Sequence, residues 1–191
     1  MFDIPCVLFA GGKSSRMGED KALLPFGSFS TLTEYQHTRL SKIFKNLFIS
    51  CKNSSKFSFS AEFILDDANV SVYAPTSGFI ASFKKLQTDR FFAISVDTPF
   101  IGLEEIRQLI EADLPHNDAT IAKTSLGTHP LCGIYHASLL DSFLEMQKEN
   151  NHKLGYLLKQ ANTSYVTFEN ENAFLNLNHS HEYIEALKQL S

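Results

Sequence analysis

Tryptophan is missing from this 191-residue chain, and cysteine, with three residues, and proline, with six, are scarce. The three cysteines, Cys6, Cys51 and Cys132, are odd in number and without C-x-x-C spacing. Neither a disulfide framework nor a zinc knuckle is thereby indicated, and small buried thiols are expected. No apolar run approaches the roughly 20 residues that span a bilayer, and Met1-Phe2-Asp3-Ile4-Pro5 carries no positively charged leader. A cytoplasmic protein without a membrane partner is expected. Positive charge is not in excess: 17 Lys+Arg stand against 21 Asp+Glu, a net charge of −4. That argues against a broad nucleic-acid-binding face while leaving room for a local basic site. No repeat, low-complexity stretch or Pro/Gly/Ser linker divides the chain, residues 54–60 being at most a polar loop, so residues 1–191 are read as one domain.

What is present is globular in character. Hydrophobic residues make up 43% and charged residues 20%, which excludes disorder and collagen. A chain of this size buries roughly 70% of its unfolded surface. Its 17 phenylalanines and 6 tyrosines are read as core material.

Residues 4–10 are almost continuously apolar and stop at Gly11-Gly12, as a strand buried on both faces of a parallel sheet does. Residues 91–96 repeat the pattern and stop at Asp97-Thr98-Pro99. Shorter strands are expected at 47–51, 62–65, 119–122, 132–135 and 165–168. Between them, helical spacing covers about 31–44, 77–86, 103–111, 137–148 and 181–190. Such alternation predicts βαβ units in a three-layer α/β/α Rossmann-like sandwich with a mostly parallel central sheet.

The segment after the first strand, Ala10-Gly11-Gly12-Lys13-Ser14-Ser15-Arg16-Met17-Gly18-Glu19-Asp20-Lys21, is not a P-loop, because Val7 stands where that motif needs glycine. Nor is it a dinucleotide fingerprint, since Lys13 replaces the second glycine. A glycine-rich loop at a strand's carboxyl end remains, the place where open α/β sheets bind ligands. Glycines there admit phosphate oxygens close to backbone N–H groups, and Lys13, Arg16 and Lys21 add cations. A solvated basic turn is the alternative. Asp97, at the end of a buried strand, can hold a hard cation against phosphate oxygens, or else serves the turn before Pro99. His179 and His181, at i and i+2, match no zinc signature.

Residues 9–21, Phe-Ala-Gly-Gly-Lys-Ser-Ser-Arg-Met-Gly-Glu-Asp-Lys, resemble the signature [LF]-A-G-G-x-S-x-R-M-G-x-D-K of the sugar-phosphate-type nucleotidyltransferases, most closely the molybdenum cofactor guanylyltransferase (MobA) branch. Three later stretches resemble that branch in the same order. Ser95-Val96-Asp97-Thr98-Pro99 is similar to its C-D-x-P segment, His129-Pro130-Leu131-Cys132-Gly133-Ile134-Tyr135 to H-P-x-x-A-x-Y, and Phe174-Leu175-Asn176-Leu177-Asn178 to F-x-N-[IV]-N. Two stretches depart from it: Phe9 replaces the usual leucine, and Ala74-Pro75-Thr76-Ser77-Gly78 replaces G-P-[LM]-[AG]-G. Both are expected beside the nucleobase.

The resemblance implies GMP transfer from GTP to the molybdenum–molybdopterin cofactor, with release of pyrophosphate and with Mg²⁺ held by Asp97. Arg16, Lys21 and Asp97 would be catalytic. Phe9, Ala10, Gly11, Gly12, Lys21, Asp67 and Asp97 would bind the nucleotide, Asp67 being favoured over Asp66 by its distance from Pro75. His129, Asn176 and Asn178 would face the acceptor. A general-base role for His129 is unnecessary when the attacking phosphate is already ionised, which leaves orienting substrate or a structural role. Asn178 could instead cap the last helix. Molybdoenzyme chaperones or apo-enzymes are further partners the resemblance allows. The alternatives are a sibling, cytidylyl-transferring to the same cofactor or acting on another phosphorylated metabolite, and a non-catalytic nucleotide-binding protein that delivers the cofactor. Retention of Arg16, Lys21 and Asp97 together argues against the last.

Overall fold

In the computed structural model, which describes residues 1–11, 20–66 and 75–190, the first apolar run forms β1 (Cys6–Phe9) and the second forms β4 (Arg90–Ser95). Cys6, Leu8, Phe92 and Ile94 point into one core cluster, and Val7, Phe9, Phe91 and Ala93 into another. This is the period-2 alternation of a strand buried on both faces, and it requires helices on both. One cluster takes in side chains of α1 (Leu32–Leu40), α3 (Leu103–Ala112) and α6 (Ser180–Lys188). The other takes in those of α2 (Pro75–Leu86), α4 (Leu140–Lys148) and α5 (Leu154–Gln160). With β2 (Leu47–Cys51), β3 (Glu62–Leu65), β5 (Ala119–Thr124), β6 (Gly127–His136) and β7 (Thr163–Thr167), the described residues form a sheet of seven strands in the order β3-β2-β1-β4-β6-β5-β7. Its pairings are parallel except those that β6 makes with β4 and β5. The three-layer, mostly parallel arrangement expected from the sequence is the one formed. None of the 17 phenylalanines is exposed, and Phe79 alone packs its ring on those of Phe9, Phe91, Tyr135 and Phe143. Among the described residues no helix is long and apolar enough to cross a membrane.

Several boundaries differ from the sequence reading for local reasons. The first helix, expected over 31–44, stops at Leu40, where the N–H groups of Ile43 and Phe44 both turn back onto the Leu40 carbonyl. That tight turn brings Phe44 into the core against Phe92. α5 was not expected: it is only seven residues long, too short for its Leu154, Leu157 and Leu158 spacing to stand out. The segment 54–60 is more than a polar loop, since a 3₁₀ turn (Ser54–Lys56) leads into buried Phe57.

β6 is longer than the expected 132–135 and runs through Pro130. The proline is tolerated because the β5–β6 register jumps, from Ile121 opposite Gly133 to Ala122 opposite His129, so residues 130–132 bulge out of that ladder. Gly133 closes the bulge, since a Cβ there would lie 2.2 Å from the Thr120 carbonyl oxygen.

Asp113, the C-cap of α3, has a fully buried carboxylate that pairs with Arg90 at the start of β4 and lies 3.0 Å from His136 Nε2. It also accepts from Thr120 Oγ1 at 2.7 Å. Burial pushes this carboxyl up, but the hydrogen bonds from His136 and Thr120 and the charges of His136 and Arg90 outweigh it and hold it below the ordinary carboxylate range. A depressed folded pKa contributes stability above the unfolded value of about 4 and loses it as pH falls through the folded value. Asp113→Asn is therefore expected to cost about 2–3 kcal/mol at pH 7, less than a fully buried pair because Arg90 is partly exposed. Urea unfolding at pH 7 and near pH 3 checks this: the difference between wild type and variant should shrink in acid.

Candidate active site

The chain runs β1-β2-β3 away from β1 on one side and returns to place β4 on the other, so the strand order reverses between β1 and β4. In open α/β sheets the crevice outside the carboxyl ends of two such strands is the ligand site. Here the two ends are locked in register, Phe9 opposite Ser95, with the Val96 N–H donating to the Phe9 carbonyl at 3.0 Å. One strand delivers Ala10 and Gly11 to this crevice, the other delivers Asp97.

Lys21 opens a 3₁₀ turn (Lys21–Leu23) capped by the Asp20 carboxylate, which accepts from the Ala22 N–H at 3.1 Å. From there its Nζ reaches Asp97 Oδ2 at 2.8 Å and Asn178 Oδ1 at 3.0 Å. The Lys21 and Asp97 side chains are 15% and 18% exposed, so the pair is sheltered yet reachable. The C-terminal segment is fastened to the same place, because the Leu177 N–H donates to the Asp97 carbonyl at 2.9 Å. Asn178 does not cap α6 with its side chain: His179 is the N-cap, and the Asn178 and His179 N–H groups both donate to Glu182. Asn178 is thus a Lys21 partner, and its neighbour Asn176 lines the adjoining cleft.

That cleft, about 340 Å³, is lined by Asp97, Thr98, His129 and Asn176 among others. His129 is half-buried, with Nε2 3.1 Å from Thr124 Oγ1 and its ring 4.7 Å from that of Phe174. Burial lowers its pKa, so the imidazole is neutral at pH 7. The β6 bulge is what carries His129 to this edge of the sheet.

On the other flank, Asp66 Oδ2 lies close to Gly11, and Asp66 Oδ1 is 3.5 Å from Ser50 Oγ. Burial raises the Asp66 pKa. The sequence reading missed Lys56, whose Nζ bonds Asp20 Oδ2 at 2.7 Å and the Ala10 carbonyl at 3.4 Å, so that it ties down residues before and after 12–19. The signal available was its position just ahead of Phe57, whose buried ring fixes where the lysine starts. The Phe9 ring packs on Phe79, and a Cβ on Gly78 would come 2.8 Å from it, so the Phe9 side chain and Gly78 meet in the core. Gly12, Lys13, Arg16, Asp67 and Ala74 lie outside the described residues.

A divalent cation suits this donor set. Among the described residues no group of three or more His, Cys, Asp or Glu could cage an ion. Asp97 offers one carboxylate, however, and Mg²⁺ is characteristically held by one or two carboxylates with substrate phosphates and water supplying the rest. The ammonium of Lys21 at 2.8 Å already marks the Asp97 carboxylate as a seat for positive charge.

The profile of the MobA-like NTP transferase domain matches residues 6–164. A molybdenum cofactor guanylyltransferase from Campylobacter jejuni subsp. doylei is 39% identical over 181 residues, which are 95% of this chain and 94% of that one. Its Helicobacter pylori namesake is 36% identical over 193 residues, covering 98% and 94%. Among solved structures, molybdopterin-guanine dinucleotide biosynthesis protein A from Archaeoglobus fulgidus superposes with a TM-score of 0.81 at 20% identity, over 97% of this chain and 98% of that one. At that identity the likeness speaks for the fold, a nucleotidyltransferase variant of the Rossmann-like sandwich.

Proposed function

Because the chain belongs to the MobA-like NTP transferases, and within them to the molybdenum cofactor guanylyltransferase family, we propose that it transfers GMP from GTP to the molybdenum–molybdopterin cofactor and releases pyrophosphate. The observation that carries the site assignment is the convergence of Lys21, Asp97 and Asn178, from three distant parts of the chain, on the crevice between β1 and β4. An oxygen of the acceptor's terminal phosphate attacks the α-phosphorus; that P–O bond forms while the bond to the β-phosphate bridging oxygen breaks, and pyrophosphate leaves with the electron pair. The acceptor oxygen is already ionised, so no side chain need take a proton, and a neutral His129 is suited to orienting the acceptor in the cleft beside Asn176.

Lys21 places a positive charge where the triphosphate enters, and Asn178 holds that ammonium in position. The backbone N–H groups of Gly11 and Gly12 and the guanidinium of Arg16 would take phosphate oxygens, and Asp66 or Asp67 would accept from the guanine N1–H and N2–H. Mg²⁺, when bound, supplies Lewis-acid stabilisation of phosphate charge, and Asp97 is the residue that would hold it. The reaction is assigned to the cytoplasm, with molybdenum-dependent apo-enzymes as consumers of the product.

A nucleotide panel tests the base. At 100 times its Kd a ligand adds about 2.7 kcal/mol to the folded state, which for a chain of this size is a rise in Tm of roughly 5–10 °C. With Mg²⁺ present, GTP is expected to give that rise and CTP, ATP and UTP markedly less. A CTP shift equal to or above the GTP shift would move the assignment to the cytidylyl sibling.

A further inference from the structure

Gln36 is completely buried on the face of α1 that also buries Leu32, Thr33 and Leu40. A buried amide is costly unless its donors and acceptor all find partners. Its Nε2 faces the carbonyls of Ser95, Val96 and Thr98 at 3.4, 3.3 and 3.1 Å. Its Oε1 accepts from Arg39 Nε at 3.2 Å and Nη2 at 2.6 Å, while Arg39 Nη1 donates to the Ile101 carbonyl. The amide can sit only this way round, because carbonyls only accept and a guanidinium only donates.

These carbonyls flank Asp97 on both sides, and the Asp97 carbonyl itself accepts from the Leu177 N–H. The backbone of the turn is therefore held from behind by α1 and from the side by the C-terminal segment, and the Asp97 carboxylate is the group left to face the crevice. One turn earlier on the same helix, Thr33 Oγ1 donates to the Ala22 carbonyl at 2.7 Å, and the Leu32 N–H donates to the Leu24 carbonyl at 2.7 Å. A single helix thus braces the turn that presents Lys21 and the turn that presents Asp97, whose side chains meet at 2.8 Å.

We infer that Gln36, backed by Arg39, is a positioning residue that fixes the Asp97 carboxylate for the divalent cation shared with the triphosphate. It touches neither substrate, and it acts through the backbone of the 95–98 turn. This deepens the guanylyltransferase reading and rests on it for the identity of the triphosphate. A loosely held carboxylate still carries its charge but spends less time in the arrangement the cation needs, and preorganisation of that kind is worth a measurable share of the rate.

The test compares wild type, Gln36→Met and Leu40→Ala. Met keeps the volume and removes the hydrogen bonds, while Leu40, buried on the same helix, bonds nothing in the turn. Mn²⁺ binding in the presence of a non-hydrolysable GTP analogue is read by electron paramagnetic resonance, alongside kcat, analogue affinity without metal, and Tm. Gln36→Met is expected to raise the Mn²⁺ Kd and lower kcat, each about tenfold, with metal-free analogue affinity unchanged. Leu40→Ala should lower Tm without moving the Mn²⁺ Kd. Should Gln36→Met fail to fold, Arg39→Lys, which keeps the charge but loses the two-pronged grip on Gln36, is expected to shift the Mn²⁺ Kd about threefold. An unchanged Mn²⁺ Kd in the folded variant, or an equal shift in Leu40→Ala, overturns the inference. A wild type that binds Mn²⁺ and GTP analogue but never releases pyrophosphate overturns the functional reading instead, and leaves the Mn²⁺ comparison to decide on Gln36.

Discussion

Lys21→Ala is expected to lower turnover by about 10²–10³-fold with the fold intact, the loss seen when one preorganised donor to developing charge is removed. The ammonium lies 2.8 Å from Asp97 and 3.0 Å from Asn178, so it is already aimed before substrate arrives, and no reorganisation is needed when charge builds on the phosphates. The fold does not depend on it. The turn that carries Lys21 is held by the Asp20 cap and by the Thr33 bond to the Ala22 carbonyl, neither of which uses the lysine side chain. Lys21→Arg should not restore the rate, because a planar guanidinium cannot occupy the point between Asp97 and Asn178 that a compact ammonium fills. Pyrophosphate release, GTP affinity and Tm measured on the three proteins decide it. Unchanged turnover in Lys21→Ala would make the lysine no more than a counter-ion for Asp97.

The parts of the site legible in the sequence are those where local pattern and chemistry coincide. β1 and β4 end where apolar runs meet Gly11 and Asp97, and those two abrupt endings already name both edges of the crevice. For Asn176 and Asn178 the resemblance implies a common task, facing the acceptor. Between them, however, Leu177 fastens the segment to the Asp97 carbonyl, and Asn178 goes to Lys21 while Asn176 lines the cleft beside it. A period-2 pattern shows which residues share a side, not which partner each will meet.

Gln36 and Lys56 were passed over for a related reason. Glutamine on a helix and lysine in a serine-rich loop both look like solvated surface residues, and only tertiary contact makes one a buried donor and the other a clasp on Ala10 and Asp20. Gln36 did leave one trace, since it falls four residues after Leu32 and four before Leu40, on the apolar stripe of α1. The Phe9 side chain is legible from strand alternation, which assigns it to the same core face as Val7.

The largest loss is expected for Asp97→Asn. Asn is nearly isosteric, and the turn it occupies is held through backbone carbonyls by Gln36 and Leu177, so the variant should fold with a Tm close to that of wild type. Its amide oxygen can still accept from Lys21, which keeps the local geometry. What disappears is the negative charge with which Asp97 would bind a hard cation between phosphates. If that cation contributes several kcal/mol of charge stabilisation at the α-phosphate, its loss lowers turnover by about 10³-fold or more, at roughly 1.4 kcal/mol per decade. GTP affinity should fall far less, because the contacts that Lys21 and the Gly11 backbone would make to the triphosphate are untouched by the substitution. The decisive assay is pyrophosphate release with molybdopterin-loaded acceptor at saturating Mg²⁺, run on wild type and variant beside a metal-free GTP titration. A variant as active as wild type would remove Asp97 from the chemistry, and a variant that lost GTP binding in proportion to turnover would make it a nucleotide ligand instead of a seat for the cation.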